Sequence, residues 1–347
     1  MANEISLTTL AQRPSMREEV IQLIEEAFQY RPPFKLAEDF YPLFALRNAP
    51  HNYLICQKQE LVGHIGLRLV DLCYGGQLIK AAFLGGLAIR ADQRGKGIFK
   101  QALQEVLSFY ENQVGLFILW SDQAELYAKF NFWQAGIVAQ LGEKENLISP
   151  LLQAGWCKYT PLDGQDKIGR QLPALYQAWA QDYIYVKRTP ADWQTLVGIK
   201  SATILVHPSG FNGKNSVNFN LSSRATPIDA YCVVGKGFDL GHVVHEVGGD
   251  PSFLAEFFKH YQNYKIWLPG AEKWRQAYPF AKQIYTGLFR RGNFALLRPL
   301  WAMLPLENQR QIEQLFKAQD DQNFWPQLLG PMDFKLPAIF ISGLDSI

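Results

Sequence analysis

Cysteine is scarce in this chain and poorly placed for chemistry. Cys56, Cys73, Cys157 and Cys232 are the only four in 347 residues, and no two form a CxxC pair. That fits reduced thiols in a reducing compartment better than a zinc knuckle or a disulfide scaffold. Long apolar runs are missing too. No window approaches the ~18 uninterrupted apolar residues of a membrane-spanning helix, and the opening MANEISLTTLAQRPSMREEV has no basic-then-apolar leader pattern. Charge of one sign is also lacking: the formal net charge of +2 implies neither a nucleic-acid surface nor general attraction to anionic membranes. Nor does any Ser/Gly-rich or low-complexity tract argue for disorder. The expectation is a soluble cytoplasmic protein with no nucleic-acid or membrane partner. An oligomer is compatible with all of this.

What the chain does contain is core-forming material, with 48% hydrophobic and 14% aromatic residues. Its length exceeds one ordinary hydrophobic core, so two domains are expected. Val20, Leu23, Ile24 and Phe28 recur at helical spacing and predict a helix over Ser15–Tyr30, with Ser15 and Glu18 as a capping box. The prolines of RPPF stop it, and a short helix over Leu36–Leu46 follows. Strands are predicted at Tyr53–Gln57, Glu60–Asp71, Gly76–Ala82, Phe83–Ile89 and Val114–Trp120. Between the last two, Phe99, Ala102, Leu103, Val106, Leu107 and Tyr110 line one face of an amphipathic helix. This order suits an α/β (α+β) fold, a mixed, mostly antiparallel sheet flanked by helices, with one parallel crossover. Gly142–Asp166 turns irregular and reads as a connection, after which a similar order of helices and strands restarts. Three regions are expected: 1–145, 160–300, and a short element over 301–347 with a helix near Glu307–Ala318 and a terminal strand.

The informative joint is LAIRADQRGKGIFKQAL, Leu87–Leu103, where a buried strand passes through a basic, glycine-bearing turn into a strong helix. A helix N-terminus exposes unpaired amides and carries partial positive charge, so a turn that leaves it uncovered can seat an anion. Gly95 and Gly97 permit close approach of the backbone, while Arg94, Lys96 and Lys100 add cationic side chains. A dinucleotide loop needs a third glycine where Lys100 stands, and the Gly-Lys-Ser/Thr of a Walker loop is absent.

What remains, Gln93-Arg94-Gly95-Lys96-Gly97-Ile98 after a buried strand, resembles the pyrophosphate loop of the GNAT acetyltransferase superfamily. Arg94 and Gly97 match its Arg/Gln-x-x-Gly-x-Gly/Ala signature, and Phe99 replaces the final small residue. A larger apolar residue there is similar to the enhanced-intracellular-survival branch of tandem GNAT proteins. The resemblance implies acetyl-CoA as co-substrate and no metal. It implies that Arg94, Gly95, Lys96, Gly97, Ile98, Phe99 and Lys100 hold the pyrophosphate, that Leu87, Ala88 and Ile89 pair with the pantetheine, and that Ser121 contacts that arm. Tyr127-Ala128-Lys129-Phe130-Asn131-Phe132 resembles a second family element, which implies Tyr127 as general acid. Asn131 stands where glycine is usual, and asparagine tolerates the left-handed conformation of a helix C-cap.

The implied reaction is N-acetylation of a primary amine, small molecule or peptide, by direct attack on the thioester. A phenol of pKa near ~10 is protonated at neutral pH and can supply the thiolate's proton. The alternatives are transfer of another acyl or aminoacyl group, or a CoA-binding module without turnover. The base is less defined. In the resembling branch a chain-terminal carboxylate serves, which here implies Ile347. Glu25, Glu26, Glu38 and Asp39, on helices that flank the acceptor site in the superfamily, could attract a cationic amine but read first as solvated helix faces. His64 reads as a structural histidine. His242, His245 and Glu246 invite a metal reading, but in a strand His245 points away from the other two. The run ALYQAWAQDYIYVKRTPADWQTL, with Arg188 and Trp193, resembles the start of the branch's second, degenerate domain. No Arg-x-x-Gly-x-Gly recurs there, so that domain is expected to bind no acyl-CoA. The remaining residues are too few for the branch's third, sterol-carrier-like domain.

Overall fold

The longest strands carry nearly continuous apolar runs. In a computed structural model, which describes residues 5–160, 167–210, 227–302, 304–318, 321–330 and 336–347, they run over Glu60–Tyr74 and Gln77–Ile89 and pair antiparallel along nearly their whole length. The expected break at Ala82–Phe83 does not exist, because no glycine, proline or polar residue interrupts KAAFL. The elements preceding the second hairpin strand are β1 (Ser6–Thr9), α1 (Arg17–Phe28), α2 (Leu36–Asp39), α3 (Tyr41–Phe44), β2 (Asn52–Gln57) and β3 (Glu60–Tyr74). From there the chain continues through β4 (Gln77–Ile89), α4 (Ile98–Tyr110), β5 (Leu116–Leu119) and α5 (Ala124–Ala128). The Ser15–Glu18 capping box does not form. Ser15 lies in a 3-10 turn, and α1 starts after Met16 without a side-chain cap.

Two compact units divide the chain. The first comprises Met1–Gly136, Tyr285–Leu336 and Ser346–Ile347, the second Ile137–Ile284 and Pro337–Asp345. They are therefore interleaved in sequence rather than laid out as 1–145, 160–300 and 301–347. The reason is pairing at long sequence separation: Leu288–Arg291 runs antiparallel to β5, Leu288 opposite Leu119 and Arg291 opposite Leu116, which returns the chain to the first unit.

In the first unit the sheet runs β1-β2-β3-β4-β5, antiparallel up to β4 and parallel between β4 and β5, where α4 makes the crossover. Ala102, Leu103, Val106, Leu107 and Tyr110 of α4 lie in one buried cluster with Leu84, Phe117, Leu119 and Tyr127. Burying such side chains contributes about 1.5–3 kcal/mol each for the large ones, and this fixes α4 against the sheet.

The second unit holds a four-stranded antiparallel sheet, ordered Val244–Gly249, Ile228–Val234, Thr203–Pro208 and Cys157–Tyr159. Helices Leu172–Ala180 and Pro251–Tyr261 pack on it. The connection read as irregular over Gly142–Asp166 contains a helix, Ile148–Gln153, and the edge strand Cys157–Tyr159; residues 161–166 lie outside the described ones. Pro150 fits this helix because it sits in the first turn, where its missing amide has no intrahelical partner to lose. Ile339–Phe340, expected as a terminal strand, runs parallel to Ile184–Lys187. In the same unit Arg188 is fully buried with two carboxylates. Its guanidinium meets Glu246 at 2.5 and 2.9 Å and Asp345 at 2.7 Å and lies over the rings of Tyr176 and Trp193, and Tyr231 donates to Glu246 at 2.6 Å.

No helix among the described residues is long and apolar enough to cross a membrane. The mixed α/β character and mostly antiparallel sheets agree with the pattern read from the sequence.

Candidate functional site

The site is built where β4 outruns its parallel neighbour. Pairing with β5 covers Ala81–Leu84 against Leu116–Leu119 and stops there, whereas β4 continues to Ile89. Leu87, Ala88 and Ile89 thus lie beyond the last β5 partner, on a strand edge whose backbone an extended ligand can pair with. The side of β4 toward β3 stays paired, His64 opposite Ala88 and Gly63 opposite Ile89, and the amide of Arg90 donates to Val62 at 2.9 Å.

After Ile89 the chain makes one 3-10 turn, Ala91–Gln93, and reaches Gly95 (φ 76°) and Gly97 (φ 80°). Gly97 is the N-cap of α4, with no side-chain cap and no acidic residue in the first turn. A glycine cap leaves the first amides uncovered. A Cβ on Gly95 or Gly97 would meet nothing within 4 Å, so the small residues hold open space in front of the helix end. The loop's only carboxylate, Asp92, is taken by Arg90 at 2.7 Å, which leaves the exposed Arg94, Lys96 and Lys100 to set the local charge. Arg94 donates to the Ile89 carbonyl at 3.2 Å and Lys96 to the Gln93 side chain at 2.9 Å. Ile98 is buried and anchors the helix end, whereas Phe99 is half-buried.

Phe99, which departs from the small residue of the motif, has a packing role. Its ring stands edge-on to Tyr127 (6.4 Å between centroids) and to Phe130 (6.0 Å). Tyr127 itself is 6% exposed on α5, with Phe132 on another side at 6.2 Å. Burial, with Asp122 nearby, pushes its phenol up to about 12, so the hydroxyl stays protonated throughout the neutral range. Asn131 adopts φ 61° after the helix, the left-handed conformation expected of it. The Ser121 hydroxyl accepts from the Gln123 amide at 3.0 Å, a local turn contact at the end of β5.

The next residues of β4 bring in groups the local sequence pattern did not connect. Leu84 belongs to the cluster that holds Tyr127. Gly85, whose side-chain direction is opposite to that of Leu84, faces the carboxyl group of Ile347; a Cβ on Gly85 would overlap that group. Gly86 (φ 60°) forms a bulge, because Gly86 and Leu87 together stand opposite Ile65, between the pairs Gly66–Gly85 and His64–Ala88. Its carbonyl lies 2.7 Å from Nδ1 of the fully buried His64. Glycines in the middle of an apolar strand mark close approach or a bulge; that rule applied to Gly85–Gly86 locates both contacts.

The four N-terminal acids are engaged. Glu25 accepts from the Leu36 amide at 3.3 Å, Glu26 from Gln22 at 2.9 Å, Glu38 pairs with Lys35 at 3.0 Å, and the buried Asp39 accepts from the Tyr30 hydroxyl. In the second unit Glu246 is taken by Arg188 and Tyr231, and His245 faces the Gly235 carbonyl at 3.1 Å. His242 lies in a turn with φ 64° rather than in the strand.

The sequence model of the acetyltransferase (GNAT) domain matches residues 11–135, the segment containing β4, the loop, α4 and Tyr127. No curated protein matches the sequence. Among solved structures, a probable N-acyltransferase of Enterococcus faecalis V583 superposes with a TM-score of 0.55 at 12% identity, over 85% of this chain and 74% of that one. A GCN5-related N-acetyltransferase of Anabaena variabilis ATCC 29413 gives 0.56 at 15% identity, over 84% and 74%. Eis1 of Mycobacterium abscessus is a looser likeness, 0.48 at 15% over 83% and 72%. At such identities the likeness is one of fold, and it extends over both units. Residues 11–135 of this chain are a GNAT acetyltransferase domain.

Proposed function

We propose that the protein transfers an acetyl group from acetyl-CoA to a primary amine. The observation that carries this reading is the opening of β4 from β5 directly ahead of an uncapped, cationic helix start, with Tyr127 beside it. The pantetheine pairs with Leu87–Ile89, and the pyrophosphate rests on the amides that follow Gly95 and Gly97, with Arg94, Lys96 and Lys100 supplying positive charge. Family and fold support acyl transfer. Donor and acceptor rest on the resemblance of the loop and of the Tyr127 segment to those of the GNAT superfamily.

In the reaction the amine nitrogen attacks the thioester carbon. The N–C bond forms, the C–S bond breaks, and the carbonyl oxygen carries the negative charge in between, held by the Leu87 amide. The nitrogen's surplus proton passes to the Ile347 carboxylate, ionised at neutral pH, and Tyr127 protonates the departing thiolate. Burial that raises the phenol's pKa keeps the proton available at neutral pH. Within this reading the first unit carries the chemistry, and the second is a degenerate GNAT-like fold without a loop of its own. A cytoplasmic, reducing setting suits the four free cysteines.

Release of CoA thiol from acetyl-CoA in the presence of a panel of primary amines tests the reading. The parent protein is expected to turn over at least one amine class. Two glycines appended after Ile347 displace the carboxyl and are expected to lower kcat by roughly 10²-fold, the low end of general-base effects, with acetyl-CoA binding intact. Unchanged turnover of the extended chain removes the carboxyl from the mechanism. Tight CoA binding without transfer to any amine makes the domain a binding module.

A further inference from the structure

His64 has a place in the site that its burial in a strand conceals. The ring is fully buried, Phe44 stacks on it at 6.4 Å, and both nitrogens face oxygen. Nδ1 lies 2.7 Å from the Gly86 carbonyl and Nε2 3.1 Å from Oδ1 of Asn52. The Asn52 amide is oriented by its own bonds, since Nδ2 donates at 2.9 Å to both Leu43 O and Asn48 O. Turning it over would set its oxygen against two carbonyls. A neutral imidazole has one N–H, and burial holds His64 neutral by pushing its pKa down to about 4. The shorter contact assigns the proton to Nδ1, which therefore donates to Gly86. The buried amides of Asn48 and Asn52 keep the ring in register behind it, Asn48 donating to Leu43 O and Leu67 O at 2.9 and 2.8 Å.

The consequence follows from the planarity of the peptide bond. The Gly86 carbonyl and the Leu87 amide share one trans peptide unit and point in opposite directions. His64 lies on β3, so drawing the carbonyl onto it sends the Leu87 N–H to the other side of β4. That is the side of β5, where pairing has already stopped at Leu84. Gly86 can take this conformation because φ 60° is open to glycine and costly for other residues; a Cβ there would sit 3.1 Å from His64 Nδ1. We propose that His64 is a positioning residue for acyl transfer: by holding the Gly86 carbonyl it aims the Leu87 amide at the thioester oxygen. The inference rests on the acetyl-transfer reading above and adds to it the device that sets the oxyanion donor.

Two variants and two measurements test it. His64→Phe keeps a ring of similar size and removes the donor. His64→Asn places a donor close to where Nδ1 stood. The carbonyl stretch of bound 13C-labelled acetyl-CoA, read by infrared difference, reports polarisation of the thioester without requiring turnover. Expected are a shifted stretch in the parent, its return toward the free value in His64→Phe, a kcat lower by on the order of 10- to 100-fold, as for loss of an oxyanion donor, and an almost unchanged KM for acetyl-CoA. His64→Asn is expected to recover a substantial part of both signals. A stretch and kcat in His64→Phe equal to the parent's overturn the proposal. So does an asparagine variant no better than the phenylalanine one, or loss of kcat only in step with melting temperature. A parent that binds acetyl-CoA with a shifted stretch yet acetylates no amine refutes the transfer reading and leaves the His64 result legible. A parent that does not bind acetyl-CoA refutes both.

Discussion

A Tyr127→Phe protein is expected to lose turnover by roughly 10²- to 10⁴-fold, the range for removal of a general acid, while acetyl-CoA affinity stays within about twofold. The phenylalanine fills the same space between Phe99 and Phe132, so the melting temperature moves little. The separation of kcat from binding is what distinguishes an acid from a core aromatic, because a lost packing contact lowers stability first. The pH profile gives an independent sign. The phenol's pKa lies at about 12, raised by burial and by Asp122, so it stays protonated as pH rises through 8 to 10, and the parent's rate does not decline there on its account. Stopped-flow or thiol-release kinetics of the two proteins settle the matter; turnover of the variant within threefold of the parent would remove Tyr127 from the mechanism.

The second large effect concerns stability. Arg188, Glu246 and Asp345 have no exposed side-chain surface, and a single guanidinium faces both carboxylates. Burial alone would raise the pKa of Glu246, but Arg188 overrides it and holds the carboxyl below its usual value. Replacing Arg188 with methionine removes the guanidinium that both buried carboxyl groups share. Breaking a buried ion pair costs about 3–5 kcal/mol, so thermal unfolding followed by circular dichroism should shift down by roughly 10 °C. Arg188→Lys retains the charge but cannot bridge two carboxylates with a planar fork, and should fall between. A methionine variant melting within 2 °C of the parent would show that the three groups are not charged as drawn. Asp345 lies two residues before Ile347, so the variant also tests how firmly the chain's last residues are held.

Much of the first unit is legible in sequence because its signals are local. The periodicity over Phe99–Tyr110 locates α4 within a residue, and the glycines, the basic residues and the buried strand before them mark the loop. Asn131 takes the left-handed conformation its side chain permits. What escaped is set by contacts distant in sequence. Nothing near Leu288–Arg291 announces that it will pair with β5, so residues after 285 read as a separate end rather than as part of the first unit. His64, read as a structural histidine, is structural in its burial, yet it meets Gly86 across the hairpin. Gly85 and Gly86 sit inside FLGGLAI, a run that by itself reads simply as a buried strand. Ile347 was reachable only through family resemblance, since no periodicity predicts that a carboxyl group will lie against Gly85.

The central claim is that the joint between β4 and α4 binds acyl-CoA, and titration calorimetry with CoA tests it most directly when run on the parent and on Gly97→Val. A Cβ at Gly97 meets nothing in the protein, so valine leaves the fold largely intact apart from the strain of φ 80°. It intrudes, however, on the space assigned to the pyrophosphate. Loss of one or two charge-assisted hydrogen bonds of about 1.5–3 kcal/mol predicts saturable one-site binding in the parent and affinity weaker by on the order of 30-fold or more in the variant. Equal affinities in the two proteins, or no heat of binding in the parent, would contradict the account.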